Sequence, residues 1–231
     1  MTAPTSIDAV LFDLDGTLLD TAPDMAAALN ALRAEEGYAP LPFTHIRSQV
    51  SHGAAALVRL GFQQAEADEF ERLRWRLLAI YRKDIARETR LFPGLDAVLD
   101  ALDLAGTPWG VVTNKPAWLT EPLLTSLDLA ARAACIVSGD SVAERKPHPL
   151  PLLHAARLIG RQPARCLYVG DAERDVLAAH GADMYSLIAR YGYLGETDRP
   201  EEWHADAIID RPEDILTWLG TDRSSSGELD A

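Results

Sequence analysis

Positive charge is scarce in this sequence. Its 231 residues hold 22 Lys and Arg against 35 Asp and Glu, a formal net charge of −13. A surface that negative repels phosphate backbones and anionic headgroups, which counts against nucleic acid or a membrane as partner. Cysteine is scarcer still. Cys135 and Cys166 each sit in a strand-like apolar run, Ala-Cys-Ile-Val and Cys-Leu-Tyr-Val. Buried free thiols are therefore expected rather than a disulfide, and with them a reducing, cytoplasmic setting. No apolar run approaches the ~18 residues that suggest a membrane span. The opening Met-Thr-Ala-Pro-Thr-Ser lacks the basic and apolar regions of a signal peptide. Internal repeats are absent.

Apolar residues are plentiful, at 48%, enough for a sizeable core. They fall into two textures. Residues 21–88 read as helical: Met25, Leu29 and Leu32 recur at helical spacing up to Gly37, and Phe70, Leu73, Leu77, Tyr81 and Ile85 form a second stripe. From residue 89 onward, strand-like runs (108–113, 134–138, 165–170, 184–189, 207–209) alternate with helical segments (94–105, 116–128, 149–159, 173–180, 212–219). Such alternation with near-continuous apolar strands predicts a parallel sheet covered by helices on both faces. The expected fold is α/β and Rossmann-like. Residues 1–20 and 89–231 form its core domain, and residues 21–88 form a small all-helical cap inserted directly after the first strand. The ends, 1–5 and 221–231, are polar and expected to fray.

Ligands of parallel sheets bind beyond the carboxyl ends of the strands, and four such ends here carry reactive residues. The first run, Ala9 to Phe12, delivers Asp13 and Asp15 into a Gly16-Thr17 turn. Two close carboxylates are unfavourable without a cation or proton between them, and a hard divalent ion suits such oxygen ligands. At the second, Thr113-Asn114-Lys115-Pro116 opens a helix whose free N–H groups suit an anion; simple N-capping by Thr113 or Asn114 is the competing and compatible reading. At the third, Pro147 and Pro149 follow Lys146 on either side of His148 (Lys146-Pro147-His148-Pro149) and stiffen the turn that holds an ammonium able to neutralise phosphate. At the fourth, Gly170 precedes Asp171 and Asp175, which share a face if a helix starts at once. One acid then binds a cation directly and the other through water; an Asp N-cap is the alternative.

This order and spacing resemble the phosphatase form of the haloacid dehalogenase superfamily, over roughly residues 6–219. The resemblance implies Asp13 as nucleophile and Asp15 as general acid/base, with Thr17 orienting Asp15. It implies Mg²⁺ among Asp13, Asp15 (through its carbonyl), Asp171 and Asp175, with Thr113, Asn114 and Lys146 on the phosphate. Dehalogenases lack an acid at the position of Asp15, because halide leaves without a proton. Further likeness in Asp20-Thr-Ala-Pro-Asp24, Leu91-Phe-Pro-Gly94, Trp109 to Pro116, and Tyr191-Gly-Tyr193 with Trp203 is to bacterial phosphoglycolate phosphatases and to the branch acting on N-acetylmuramic acid 6-phosphate. Both substrates carry a carboxylate beside the phosphate. Arg47, Ser51, His52 and Gly53 in the cap turn are the candidates to read it, although for Arg47 a solvated helix residue is the favoured reading. The partner implied is a small phosphate ester, with monomer and homodimer both open. A sugar phosphomutase and a non-enzymatic, receiver-like phosphate sensor are the competing readings.

Overall fold

Strand β1 (Ala9–Phe12) is apolar and buried at every position. Its side chains alternate between two hydrophobic clusters: Val10 and Phe12 enter one, Ala9 and Leu11 the other. A strand with two apolar faces must be covered on both sides, and this one lies mid-sheet. The computed structural model describes residues 7–219; the ends expected to fray lie outside them.

After β1 come a short strand, β2 (Leu19–Asp20), and four helices: α1 (Ala22–Glu35), α2 (Phe43–Arg47), α3 (Gly53–Gly61) and α4 (Ala67–Lys83). The chain returns through β3 (Arg90–Leu91), antiparallel to β2. Then follow α5 (Leu95–Leu104), β4 (Trp109–Val112), α6 (Ala117–Ser126), β5 (Cys135–Val137), α7 (Leu150–Leu158), β6 (Cys166–Gly170), α8 (Glu173–Gly181), β7 (Tyr185–Ala189) and β8 (Ala207–Ile209). Six strands form one sheet in the order β5-β4-β1-β6-β7-β8, and every pair is parallel. Helices α5 and α6 bury Leu95, Val98, Leu99, Leu119 and Leu123 against one face. Helices α7 and α8 bury Leu152, Ala155, Ala178 and Ala179 against the other. The parallel sheet with helices on both faces is thus as the alternation predicts.

Two local expectations need correction. The helical block does not follow the first strand directly: β2 and β3 clasp its root as a two-stranded ribbon. Two-residue strands are too short for any periodicity to reveal. The segment expected as a helix over 212–219 is a 3-10 helix, Pro212–Trp218, the tighter form that short connecting pieces adopt. Both cysteines are free and buried. Among the described residues no helix is long and apolar enough to cross a membrane.

With β1 central, the chain builds outward on one side through β4 and β5 and then crosses to β6 on the other. Connections leave the sheet in opposite directions at that switch, opening a crevice above the carboxyl ends of β1, β4 and β6.

Candidate active site

Asp13 is the first residue beyond β1. Its N–H extends the parallel ladder by donating to the Val169 carbonyl at 2.8 Å, so its position is set by the sheet itself. The carboxylate is buried, and Oδ1 accepts from the Leu14 N–H at 2.7 Å. Lys146, beyond β5, brings Nζ to 2.8 Å from that same oxygen. The ammonium also lies 2.7 Å from Asp175 Oδ1 and 2.6 Å from the Tyr168 hydroxyl. Tyr168 in turn donates to the Val112 carbonyl at 2.8 Å. A buried ammonium is tolerated only when paired this fully. On its other side Asp13 meets Arg174, with Nη2 3.8 Å from Oδ2. Burial alone would raise the Asp13 pKa, but Lys146 and Arg174 outweigh it and hold it below the ordinary value.

Asp15 takes a different environment. Its carboxylate receives Lys115 Nζ at 2.8 and 3.1 Å and the Thr21 hydroxyl at 2.6 Å. Burial opposes the charge on Lys115, yet Asp15 and the adjacent Tyr81 hold its pKa above the ordinary lysine range. Thr17 does not orient Asp15 as expected; it is fully buried and its hydroxyl has no partner. The turn at Leu14–Leu19 rotates Thr17 inward, and the first residue before α1 supplies the hydroxyl instead.

Asp171 follows β6 and precedes α8, so it does not share a helix face with Asp175. Asp175 is the residue that caps: its Oδ2 accepts from the Ala172 N–H at 3.1 Å. Asp13, Asp171 and Asp175 nonetheless present carboxylate oxygens all within 4.8 Å of one another. Burial, then repulsion from Asp13 and Asp175, pushes the Asp171 carboxyl up to about 7. Its Oδ1 is buried with no hydrogen-bond partner. An orphaned carboxylate oxygen amid three acids is a donor set that a hard divalent cation fits. The Asp15 side chain is not part of this set, since it points at Lys115; what Asp15 turns the same way is its carbonyl. Ser51 marks the spot, its Oγ lying 2.6 Å from Asp171 Oδ2 and 3.2 Å from that carbonyl. Gly16 is required here. Its φ is +86°, and a Cβ would overlap both the Asp171 carboxylate and the Ser51 hydroxyl.

A cavity of about 700 Å³ lies over Asp13 and Asp15, between the helical block and the strand ends. Thr113, Asn114, His52 and Gly53 line it. Burial, assisted by Arg174, lowers the His52 pKa. Arg47 does not line it: the guanidinium lies 4.8 Å from the Tyr193 ring centroid and donates to the Tyr191 carbonyl at 3.3 Å. Arg47 thus rests on the Tyr191–Tyr193 segment beside this cavity. Asn114 is largely committed as well. Its amide bridges the Lys146 backbone, donating to the carbonyl at 2.9 Å and accepting from the N–H at 3.1 Å.

The model of the family described as haloacid dehalogenase-like hydrolase matches residues 10–189. The chain belongs to the haloacid dehalogenase-like hydrolase family. It is 44% identical over 203 residues to a phosphoglycolate phosphatase of Xylella fastidiosa (strain Temecula1), covering 88% of this chain and 89% of that one. It is 42% identical over 205 residues to an N-acetylmuramic acid 6-phosphate phosphatase of Pseudomonas putida, covering 88% and 92%. The crystal structure of a predicted phosphoglycolate phosphatase from Haemophilus somnus 129pt superposes with a TM-score of 0.82 at 28% identity, covering 91% of this chain and 97% of that one.

For this haloacid dehalogenase-like hydrolase, the sequence reading brings Asp13, Lys146, Asp171 and Asp175 together and passes over three participants. Lys115 stands inside the Thr-Asn-Lys-Pro motif and Arg174 between Asp171 and Asp175. Each is a cation beside acids in an acidic chain, which is a usable signal. Tyr168, in contrast, is one more apolar strand position by pattern.

Proposed function

We propose that this protein is a Mg²⁺-dependent phosphatase that hydrolyses a small phosphate monoester through an aspartyl-phosphate on Asp13. The observation that carries this reading is the convergence of Asp13, Lys146 and the unpartnered Asp171 oxygen beneath one cavity, with Asp15 held separately beside them. Residues 21–88 are read as a cap over a core built from 1–20 and 89–231. The buried free thiols favour the cytoplasm.

Oδ1 of Asp13 is occupied by the Leu14 N–H and Lys146, which leaves Oδ2 to attack phosphorus. The ester oxygen departs with a proton from Asp15, which Lys115 and Thr21 hold in place. Asp15 then takes a proton from water as that water attacks the aspartyl-phosphate, releasing phosphate and freeing Asp13. Arg174 and the Thr113 hydroxyl, which line the cavity, meet the phosphoryl oxygens, and Lys146, paired to Asp13 from beneath, offsets the charge that gathers there. A divalent cation held by Asp13, Asp171 and the Asp15 carbonyl, with Asp175 nearby, would screen nucleophile from phosphate and stabilise the transferring group.

The substrate is a phosphate ester that also bears a carboxylate, 2-phosphoglycolate or N-acetylmuramic acid 6-phosphate, as the relatives' names indicate. The test is release of inorganic phosphate from p-nitrophenyl phosphate with Mg²⁺ and no bisphosphate activator, which also separates hydrolase from mutase. Asp13→Asn should lose at least about a thousandfold, ~4 kcal/mol of transition-state stabilisation. A wild-type rate in that variant would remove the nucleophile assignment.

A further inference from the structure

Asp171 uses its two carboxylate oxygens differently. Oδ2 accepts from the Ser51 hydroxyl at 2.6 Å and from the Tyr193 N–H at 3.0 Å, whereas Oδ1 is buried without a partner. Tyr193 follows β7, in the sheet, and Ser51 lies in the helical block, between α2 and α3. Among the described residues, Ser51 is the one side chain of 21–88 that hydrogen-bonds to Asp13, Asp171 or Asp175. The turn that carries it is stiff. The His52 N–H donates to the Gln49 carbonyl at 3.1 Å and the Gly53 N–H to the Val50 carbonyl at 2.9 Å, while the Val50 side chain is buried in the core. The Asp15 carbonyl lies 3.2 Å from the same hydroxyl. Ser51 thus touches two of the groups that face the cation site without belonging to the acidic cluster.

We propose that Ser51 is a positioning residue for the metal: it turns Asp171 so that Oδ1 is left to a divalent cation, and so makes cation affinity depend on the helical block being seated on the sheet. The inference rests on the metal reading of Asp13, Asp171 and Asp175. One donor on a carboxylate leaves it free to rotate; two donors that reach Oδ2 from separate segments fix its plane. A hydroxyl–carboxylate bond of 2.6 Å is charge-assisted and strong. A hydroxyl has one proton; given to Asp171, it is not on offer to a carboxylate of the substrate. Because the turn is stiff, Ser51 reaches Asp171 only while the whole block is in place. When the block lifts, Asp171 keeps the Tyr193 N–H alone and its carboxylate turns freely. Coupling of this kind is reciprocal: seating of the block tightens cation binding, and a bound cation holds the block down by the same factor.

The experiment measures Mg²⁺ binding to the full chain by calorimetry, with no substrate present. Ser51→Ala should weaken it about tenfold, as loss of a group that orients a metal ligand does. Ser48→Ala, which removes a hydroxyl from the same turn that reaches only the His45 carbonyl, should leave it unchanged. In turnover of p-nitrophenyl phosphate, Ser51→Ala should raise the Mg²⁺ concentration for half-maximal rate by the same factor, with KM for the ester at saturating Mg²⁺ altered less than about twofold. Hydrogen exchange on the wild-type protein tests the reverse direction without a variant: Mg²⁺ should slow the His52 and Gly53 amides by about threefold or more, and Ser51→Ala should lose that slowing. Unchanged Mg²⁺ affinity in Ser51→Ala overturns the proposal even if its Tm falls, as does no slowing of those amides in wild type. A raised KM for the ester with unchanged Mg²⁺ affinity makes Ser51 a substrate contact instead. Wild type that binds no Mg²⁺ refutes the metal reading itself, whereas equal binding by wild type and Ser51→Ala refutes the role of Ser51 alone.

Discussion

Asp13 and Asp15 are neighbours in one turn, yet their surroundings assign them different chemistry. Asp13 is held between Lys146 and Arg174 at the sheet's end. Asp15 is turned into the cavity wall, where Lys115 and Thr21 fix its carboxylate. The side chains of Lys115 and Asp15 are 7% and 17% exposed, so the pair is desolvated and breaking it strands a charge. Lys115→Met should therefore destabilise the fold by roughly 3–5 kcal/mol, read as a lower Tm. It should also lower kcat/KM more for alkyl phosphates than for p-nitrophenyl phosphate, because nitrophenolate departs without a proton from Asp15. Equal losses on the two ester classes would show that Lys115 does not act through Asp15.

The joint between the sheet and the helical block is the element on which placement of Asp15 and Ser51 depends. Asp24, in the first turn of α1, accepts from the Glu88 N–H at 3.0 Å, and from the Thr89 N–H at 2.9 Å and hydroxyl at 2.7 Å. Tyr193 donates to Asp20 at 2.7 Å and accepts from the Ala22 N–H at 2.8 Å. Its own N–H donates to Asp171 Oδ2 at 3.0 Å, so one residue ties the root of the helical block to the acidic cluster. Phe92 packs against Tyr191 and Tyr193 at 5.2 and 5.9 Å. The Asp20–Asp24 and Tyr191–Tyr193 segments are thus partners across this joint. Tyr193→Phe leaves a buried amide unpaired and should cost roughly 1–3 kcal/mol, and Asp24→Ala at least as much. Thermal melts check both, and an unchanged Tm for Asp24→Ala would show that the joint bears no strain.

Across the whole molecule, excess negative charge is relieved locally at the site. Asp13, Asp171 and Asp175 face two cations, Lys146 and Arg174, and the remaining charge falls on Asp171. Its carboxyl rises from 3.8 to about 7. A carboxyl that holds its proton more tightly when folded makes the metal-free fold less stable as pH climbs through that interval, with no further change above it. A divalent cation among the three acids removes that penalty. Mg²⁺ should therefore raise Tm more at pH 8 than at pH 5, and a pH-independent shift would count against Asp171 as a ligand.

The strands, the covering helices and the strand-end residues Asp13, Thr113, Lys146 and Asp171 were legible in the chain. Apolar runs and turn residues are local properties, and a parallel sheet aligns its carboxyl ends whatever the intervening sequence. The clasp of β2 on β3, Thr21 rather than Thr17 on Asp15, Lys115 across from it, and Arg47 packed away on Tyr193 were decided only by the tertiary structure. Each depends on where a side chain points once distant segments meet, and that direction is set by packing and by pairing buried charge. No spacing along a single chain encodes it.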